Sequence, residues 1–317
     1  METLHVDLTT TLVAGNTQVV LPNPIIAASG SFGHSNELFD VVNPQDVGAI
    51  TIKSLAPFIS PGNSAPRVAA VPTGMMNSVG LPGPHIGAWV DSDLEKIRNT
   101  GGRFIMALWG RTIEEYEQAA AILAPVADAF IAIEVNLSCP NTESGNRLFA
   151  QNADDTRAIT QRVKKELGES IPISIKLTSG VTRITEIAQA AIEGGADMLT
   201  LFNTALGLVI DPYTRVPLLG KGAGGYSGAG VLPIAQKGVY EVHQAFPDTP
   251  IIGTGGVMTG VDAASMMMCG ASAVGVATAV FADPRATIRI AQELKDFCVS
   301  TGVANVSDLI GAIEMPT

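Results

Sequence analysis

A thiol, several amides and two lysines stand where apolar strands end in this chain. The stretch EVNLSCPNTESGN, residues 134–146, begins as a buried strand and then turns polar. Asn136, Ser138, Cys139 and Asn141 fall within six positions, around Pro140. A free thiol titrates near ~8.5, so a cysteine in a Pro-constrained turn between two asparagines can serve as a base with modest tuning. Taken alone, the same cysteine is as readily a small buried hydrophobe, and Asn136, Asn141 and Asn203 are as readily turn formers. Lys53 and Lys176 each close an apolar run, where a lysine either snorkels to the rim or meets an anion. Gly255-Gly256, in GTGGV, is either a tight turn or a backbone cradle for a phosphate.

The elements that would hold these residues alternate. The pattern predicts strands over 24–28, 48–52, 103–108, 130–135, 172–176, 197–202, 249–253 and 273–277. Helical patterns follow over 35–42, 91–99, 112–124, 153–167, 183–194, 231–245, 259–269 and 283–299. Thr112 with Glu115 forms a capping box; Pro233 near one helix start and Gly270 just past another helix end fit the usual cap asymmetry. Eight strand–helix units match an α/β fold of the (β/α)8 TIM barrel type, one domain over 1–317, in preference to a doubly wound open sheet. Residues 3–8 and 17–21 read as a small N-terminal β-hairpin capping the barrel floor.

In such a barrel the site forms at the carboxyl ends of the strands. In order, the eight ends supply Ser29-Gly30, Lys53-Ser54, Trp109-Gly110, Asn136 with Cys139, Lys176, Asn203-Thr204, Gly255-Gly256 and Thr278. Each follows directly on an apolar run, so loop solubility alone does not explain the set.

Composition narrows the class. Charged residues make up 15% of the 317 residues and hydrophobic ones 46%, as in a compact chain with a large core. A net charge of −11 argues against nucleic acid as a partner. The start, METLHVDL, has no basic region of a signal peptide, and no apolar run reaches bilayer length, so no membrane partner is expected. Cys139, Cys269 and Cys298 lie far apart, which fits a reduced cytoplasmic protein. Neither the cysteines nor the four histidines have metal-ligand spacing, so no metal is expected. GTGGVMTG has Met258 where G-x-G-x-x-G needs glycine, GGYSGAG misses G-x-S-x-G, and P-loop and H-E-x-x-H motifs are missing.

At this point the residues match a known family. ASGSFG (28–33), TIKS (51–54), MMNSVGL (75–81), NLSCPN (136–141), IKL (175–177), FNT (202–204), YSG (226–228), GTGGV (253–257) and ASAVGVATA (271–279) span nearly the whole chain. It resembles the class 1 dihydroorotate dehydrogenases, and most closely the FMN-binding catalytic subunit of the class 1B, NAD-linked enzymes. N-x-S-C-P-N together with the MMNSVGL segment is the specific signal.

The resemblance implies oxidation of dihydroorotate to orotate in pyrimidine synthesis, with one FMN per chain. A base removes a ring proton while a hydride passes from the neighbouring carbon to the flavin; in class 1 that base is the cysteine of N-x-S-C-P-N, here Cys139. Lys53 is then a second catalytic residue, against both flavin and substrate. Ser29, Ser54, Asn136, Lys176, Phe202, Gly228, Gly255, Gly256, Ala277 and Thr278 match flavin-contacting positions. Asn77, Ser78, Val79, Gly80, Leu81, Asn136, Asn203 and Thr204 match the substrate site. The chain departs from the family at Ala107, where many members have Asn, at Ala277, usually glycine, and in GLPGPH after the substrate segment.

Class 1 divides into fumarate-using homodimers and NAD-linked enzymes whose partner subunit carries FAD and a 2Fe-2S cluster. LPNPIIAASGSFGHSNEL resembles the second kind, which implies a homodimer core within a heterotetramer. Three rivals stand beside this reading. A barrel lyase or aldolase would use Lys53 or Lys176 as a Schiff base, but leaves Cys139 and the asparagines idle. A tRNA dihydrouridine synthase conflicts with the acidic charge. A silent binding barrel leaves the thiol and both lysines without a role.

Overall fold

The computed structural model describes residues 5–14, 17–138, 140–141 and 147–316. Eight parallel strands close into a barrel: β1 Ile25–Ala27, β2 Ala49–Leu55, β3 Phe104–Leu108, β4 Ala132–Asn136, β5 Ile173–Lys176, β6 Met198–Leu201, β7 Ile251–Thr254 and β8 Ala273–Val276. The last strand pairs with the first, Val274 opposite Ile25, which rules out the open sheet. The short β-branched runs form these strands because their outward side chains are buried under helices and their inward ones fill the barrel.

The helices Ile113–Leu123, Ala153–Leu167, Ile184–Glu193, Leu232–Ala245, Gly260–Met268 and Ala286–Thr301 fall where the helical patterns predict. Thr112 Oγ1 accepts from the Glu115 N–H at 3.3 Å and the Glu115 carboxylate accepts from the Thr112 N–H, completing the expected capping box.

Three expectations need correction. Residues 35–42 form turns, not a helix: the Phe39 and Val41 N–H groups reach back only three residues, to the Asn36 and Leu38 carbonyls. The adjacent β-branched pair Val41-Val42 and Pro44 shortly after leave too little room for a stable helix. The helix expected over 91–99 starts earlier and is broken in two, Ile86–Ser92 and Leu94–Arg98, with the His85 side chain capping the first. The hairpin pairs Thr10–Ala14, not residues 3–8, with Thr17–Leu21. Asp7 instead bridges to Asn305 near the carboxyl end.

The hairpin does plug the barrel floor. Leu12, Val19 and Leu21 are buried against Ile26, Ala49, Ile105, Ala132, Met198, Ile252 and Ala273, the lowest inward residues of seven strands. Burying side chains of this size is worth roughly 1.5–3 kcal/mol each. This tier also sets the inward parity of its seven strands, since alternate residues face one side, and the register of Ser174 opposite Met198 carries it to β5.

At the opposite end, two excursions build a four-stranded antiparallel sheet that the sequence pattern did not predict. Its order is Ala205–Gly207, Gly224–Ser227, Gly74–Asn77, Val68–Val71. It carries the substrate-like segment over the barrel mouth, placing Asn77 opposite Gly225.

Candidate active site

Counting inward from the floor tier, β2 presents Thr51 and Lys53, β4 presents Glu134 and Asn136, β5 presents Ser174 and Lys176, and β6 presents Thr200. The tier beneath the mouth is therefore polar, and four of its members bond in pairs. The Ser174 and Thr200 hydroxyls are hydrogen-bonded at 2.8 Å, and Lys176 Nζ lies 3.3 Å from Glu134 Oε1 with both side chains buried. A buried lysine is costly without such an anion.

Above this tier opens a cleft of about 700 Å³ lined by Ser29, Lys53, Ser54, Asn136, Lys176, Asn203 and Thr204 from the strand ends, by Asn77 from the overlying sheet and by Ser78, Val79, Gly80 and Leu81 from the segment that follows it. A narrower compartment of about 80 Å³ lies beside it, toward Phe202, Gly255, Gly256, Ala277 and Thr278. Ser29, Lys176, Asn203 and Thr204 line both, so the two adjoin.

The side chains are fixed by short local bonds. The Asn136 amide donates to Ser54 Oγ at 3.3 Å, its carbonyl oxygen Oδ1 accepts from the Ser138 N–H at 3.2 Å, and its backbone carbonyl accepts from the Tyr116 hydroxyl at 2.7 Å. Ser29 Oγ and Ser54 Oγ are 3.4 Å apart. Asn77 donates to the Gly225 carbonyl at 3.3 Å, which ties the segment to the overlying sheet. Asn203 Oδ1 accepts from the Thr204 N–H at 2.8 Å. Gly80 and Leu81 both take positive φ, 76° and 51°, so the segment turns sharply over the cleft. Lys53 Nζ packs against Gly30, where a Cβ would come within 3.0 Å of it.

The structure thus brings together every site residue expected from sequence except two. Gly228 packs against Thr73-Gly74 and lies outside the lining; its neighbour Ser227 lines the narrow compartment instead. Cys139 lies outside the described residues; the strand it follows ends at Asn136, inside the cleft. Burial pushes the thiols of the other two cysteines, Cys269 and Cys298, above the usual range, which suits packing and not base chemistry. Sequence reading missed Glu134, Thr254, Ser227, Arg111 and Lys221. Arg111 directly follows the Trp109-Gly110 strand end and lies 4.1 Å from the Phe58 ring centroid, and both Arg111 and Lys221 line the cleft. Glu134 shares its inward parity with Asn136, two residues on, but in the sequence it reads only as an interruption of an apolar run.

The compartment suits a flavin mononucleotide. Gly255 and Gly256 adopt φ of 133° and 82°, and a Cβ on Gly256 would come within 2.5 Å of Leu232 Cα, so the chain there is bare backbone. Thr254 Oγ1 is buried beside it with no hydrogen-bond partner among the described residues. Gly275 leaves that hydroxyl room, since a Cβ there would strike it. Bare N–H groups, hydroxyls from Ser29, Thr254 and Thr278, and the Lys176 ammonium form the donor set expected for a phosphate, a polyol and an electron-rich ring. Among the described residues no group of three or more His, Cys, Asp or Glu could hold a metal, and no helix is long and apolar enough to cross a membrane.

A closed parallel barrel whose strand ends and overlying sheet enclose one polar cleft defines an α/β-barrel enzyme. A family model described as dihydroorotate dehydrogenase matches residues 10–298. The chain is 38% identical over 296 residues to the catalytic subunit of dihydroorotate dehydrogenase B (NAD(+)) of Alkaliphilus oremlandii, covering 93% of this chain and 96% of that one. It is also 38% identical over 297 residues to the catalytic subunit of the same name from Geobacter sulfurreducens, covering 94% and 96%. Among solved structures, a dihydroorotate dehydrogenase of Eimeria tenella in complex with ferulenol superposes with a TM-score of 0.78 at 20% identity, covering all of this chain and 91% of that one; at that identity the likeness concerns the fold. The chain belongs to the dihydroorotate dehydrogenase family and is an oxidoreductase.

Proposed function

We propose that this chain, as one FMN-binding barrel domain, oxidises dihydroorotate to orotate in pyrimidine synthesis. The observation that carries the reading is the convergence of Lys53, Asn77, Asn136, Asn203 and Thr204 on one cleft that adjoins a glycine-walled compartment. When bound there, FMN supplies the acceptor for the hydride that leaves the substrate ring. The amides of Asn77, Asn136 and Asn203 and the Thr204 hydroxyl hold a planar ring edged with carbonyls and N–H groups. The backbone from Asn77 to Leu81 helps hold the substrate carboxylate. Cys139, three residues beyond Asn136, takes the proton from the carbon next to the one that loses hydride. Lys53 offsets the negative charge that builds up as the two bonds break. Ser29, Ser54, Lys176, Phe202, Gly255, Gly256, Ala277 and Thr278 surround the flavin. The Schiff-base alternative is weakened by the ion pair that engages Lys176 with Glu134.

The electron route follows the curated relatives, which are named as catalytic subunits of an NAD(+)-linked enzyme. The chain is expected to form a cytoplasmic homodimer core that pairs with a subunit carrying FAD and a 2Fe-2S cluster. Purified alone, it is expected to form orotate from dihydroorotate with an artificial dye acceptor but not with NAD, and to gain NAD turnover when the electron-transfer subunit is added. NAD reduction by the isolated chain would overturn the partner assignment. Rapid turnover with fumarate would place the chain with the homodimeric enzymes.

A further inference from the structure

We propose that Glu134 is a positioning residue that sets the reduction potential of the flavin through Lys176. The inference rests on the flavin reading above. Lys176 closes β5 and lines both the cleft and the narrow compartment. Glu134 occupies the inward position one tier below Asn136 on the neighbouring strand β4 and is 3% exposed. Its carboxylate lies 3.3 Å from the Lys176 ammonium. On its other side the register places Ala107, fully buried and without a polar atom in its side chain.

A carboxylate inside a barrel is a poor choice for packing alone, because a hydrophobic residue of similar size fills the space without desolvating a charge. Its effect is electrostatic. A lone ammonium at the floor of the flavin compartment would strongly favour the electron-rich reduced ring, since charges interact at full strength where water is excluded. With Glu134 directly behind it, Lys176 keeps its hydrogen-bond donors while the pair carries no net charge. The pair therefore orients the flavin and restrains the field that Lys176 would otherwise exert. Ala107 contributes no dipole that would take over this role, so the balance between Glu134 and Lys176 decides it.

The test uses the full chain loaded with FMN and equilibrated anaerobically with redox dyes. Glu134→Gln is expected to raise the midpoint potential, favouring reduced over oxidised flavin by at least tenfold, which is about 30 mV for a two-electron couple. Lys176→Gln is expected to lower it by a similar factor. The double variant is expected to return to within tenfold of the native ratio. A Glu134→Gln protein that retains FMN at an unmoved or lowered potential would overturn the proposal. Should Glu134→Gln fail to fold or to retain FMN, the double variant decides, because it leaves no unpaired buried charge. A potential near the native value supports mutual cancellation, and a shift as large as that of Lys176→Gln alone refutes it. Failure of the flavin reading itself looks different: the native chain would bind no FMN at all.

Discussion

Cys139→Ala is expected to lower dihydroorotate turnover by about 10²–10⁴-fold, the usual contribution of a positioned base, while FMN binding stays intact. No other thiol substitutes for it: Cys269 and Cys298 are buried and their thiols are pushed up by burial. The strand that leads toward Cys139 ends at a firmly held point, since Asn136 is bonded through its backbone carbonyl to Tyr116 and through its amide to Ser54. The placement of Asn136 in the cleft is therefore expected to survive the loss of one sulfur. In the native enzyme the rate of flavin reduction should rise with pH as the thiol loses its proton. Cys139→Ala should lose that limb, and Cys139→Ser should retain only weak activity, because a hydroxyl needs further help to ionise. Stopped-flow flavin reduction across pH measures this, and an alanine variant with native rates would remove Cys139 from the chemistry.

The second large effect is expected at Gly256. Its φ of 82° lies in the left-handed region, where a side chain costs roughly 1–2 kcal/mol. A Cβ there also meets the Leu232 backbone, at the start of the helix Leu232–Ala245. Gly256→Ala must therefore move the very segment proposed to cradle the phosphate, and FMN affinity is expected to fall by about tenfold or more, since 1.4 kcal/mol is one decade. Fluorescence titration with FMN reads this directly. Gly168→Ala is the control: φ is 70°, but a Cβ meets nothing within 4 Å and the residue caps a helix away from the cleft. It should lower stability by roughly 1–3 kcal/mol, the cost of that backbone conformation, and leave FMN affinity unchanged. Equal losses at both glycines would mean that backbone strain, not the cradle, governs flavin binding.

Most of the barrel was legible because its signal is local. Eight apolar runs, each followed by a helical pattern, fix the strand count, and the polar residue closing each run fixes where the site lies. Caps such as Thr112 with Glu115 were legible for the same reason. What was not legible depended on distant partners. The sheet over the cleft uses Gly224 and Gly225 in a strand, which propensity disfavours. They are tolerated because the Asn77 carbonyl and the Thr204 side chain occupy the space a Cβ would take. The sequence pattern starts the hairpin a few residues early because residues 3–8 alternate as convincingly as residues 10–14, and only the apolar plug formed by Leu12 distinguishes them. Residues 35–42 contain apolar residues at helical spacing, yet the Glu37 carboxylate accepts from the His34 and Ser35 N–H groups in a turn. Glu134 reads as an interruption of a strand until Lys176, on the next strand, supplies its reason.

On the proposed function, this cleft holds FMN and passes electrons to it from dihydroorotate. The most direct test is the absorbance spectrum of the purified, FMN-loaded chain before and after dihydroorotate is added without oxygen. A flavin band that bleaches on addition, with orotate formed in equal amount, is the predicted result. A flavin band that stays oxidised would keep the cofactor and contradict the substrate. A colourless protein that cannot be loaded with FMN would contradict the account as a whole.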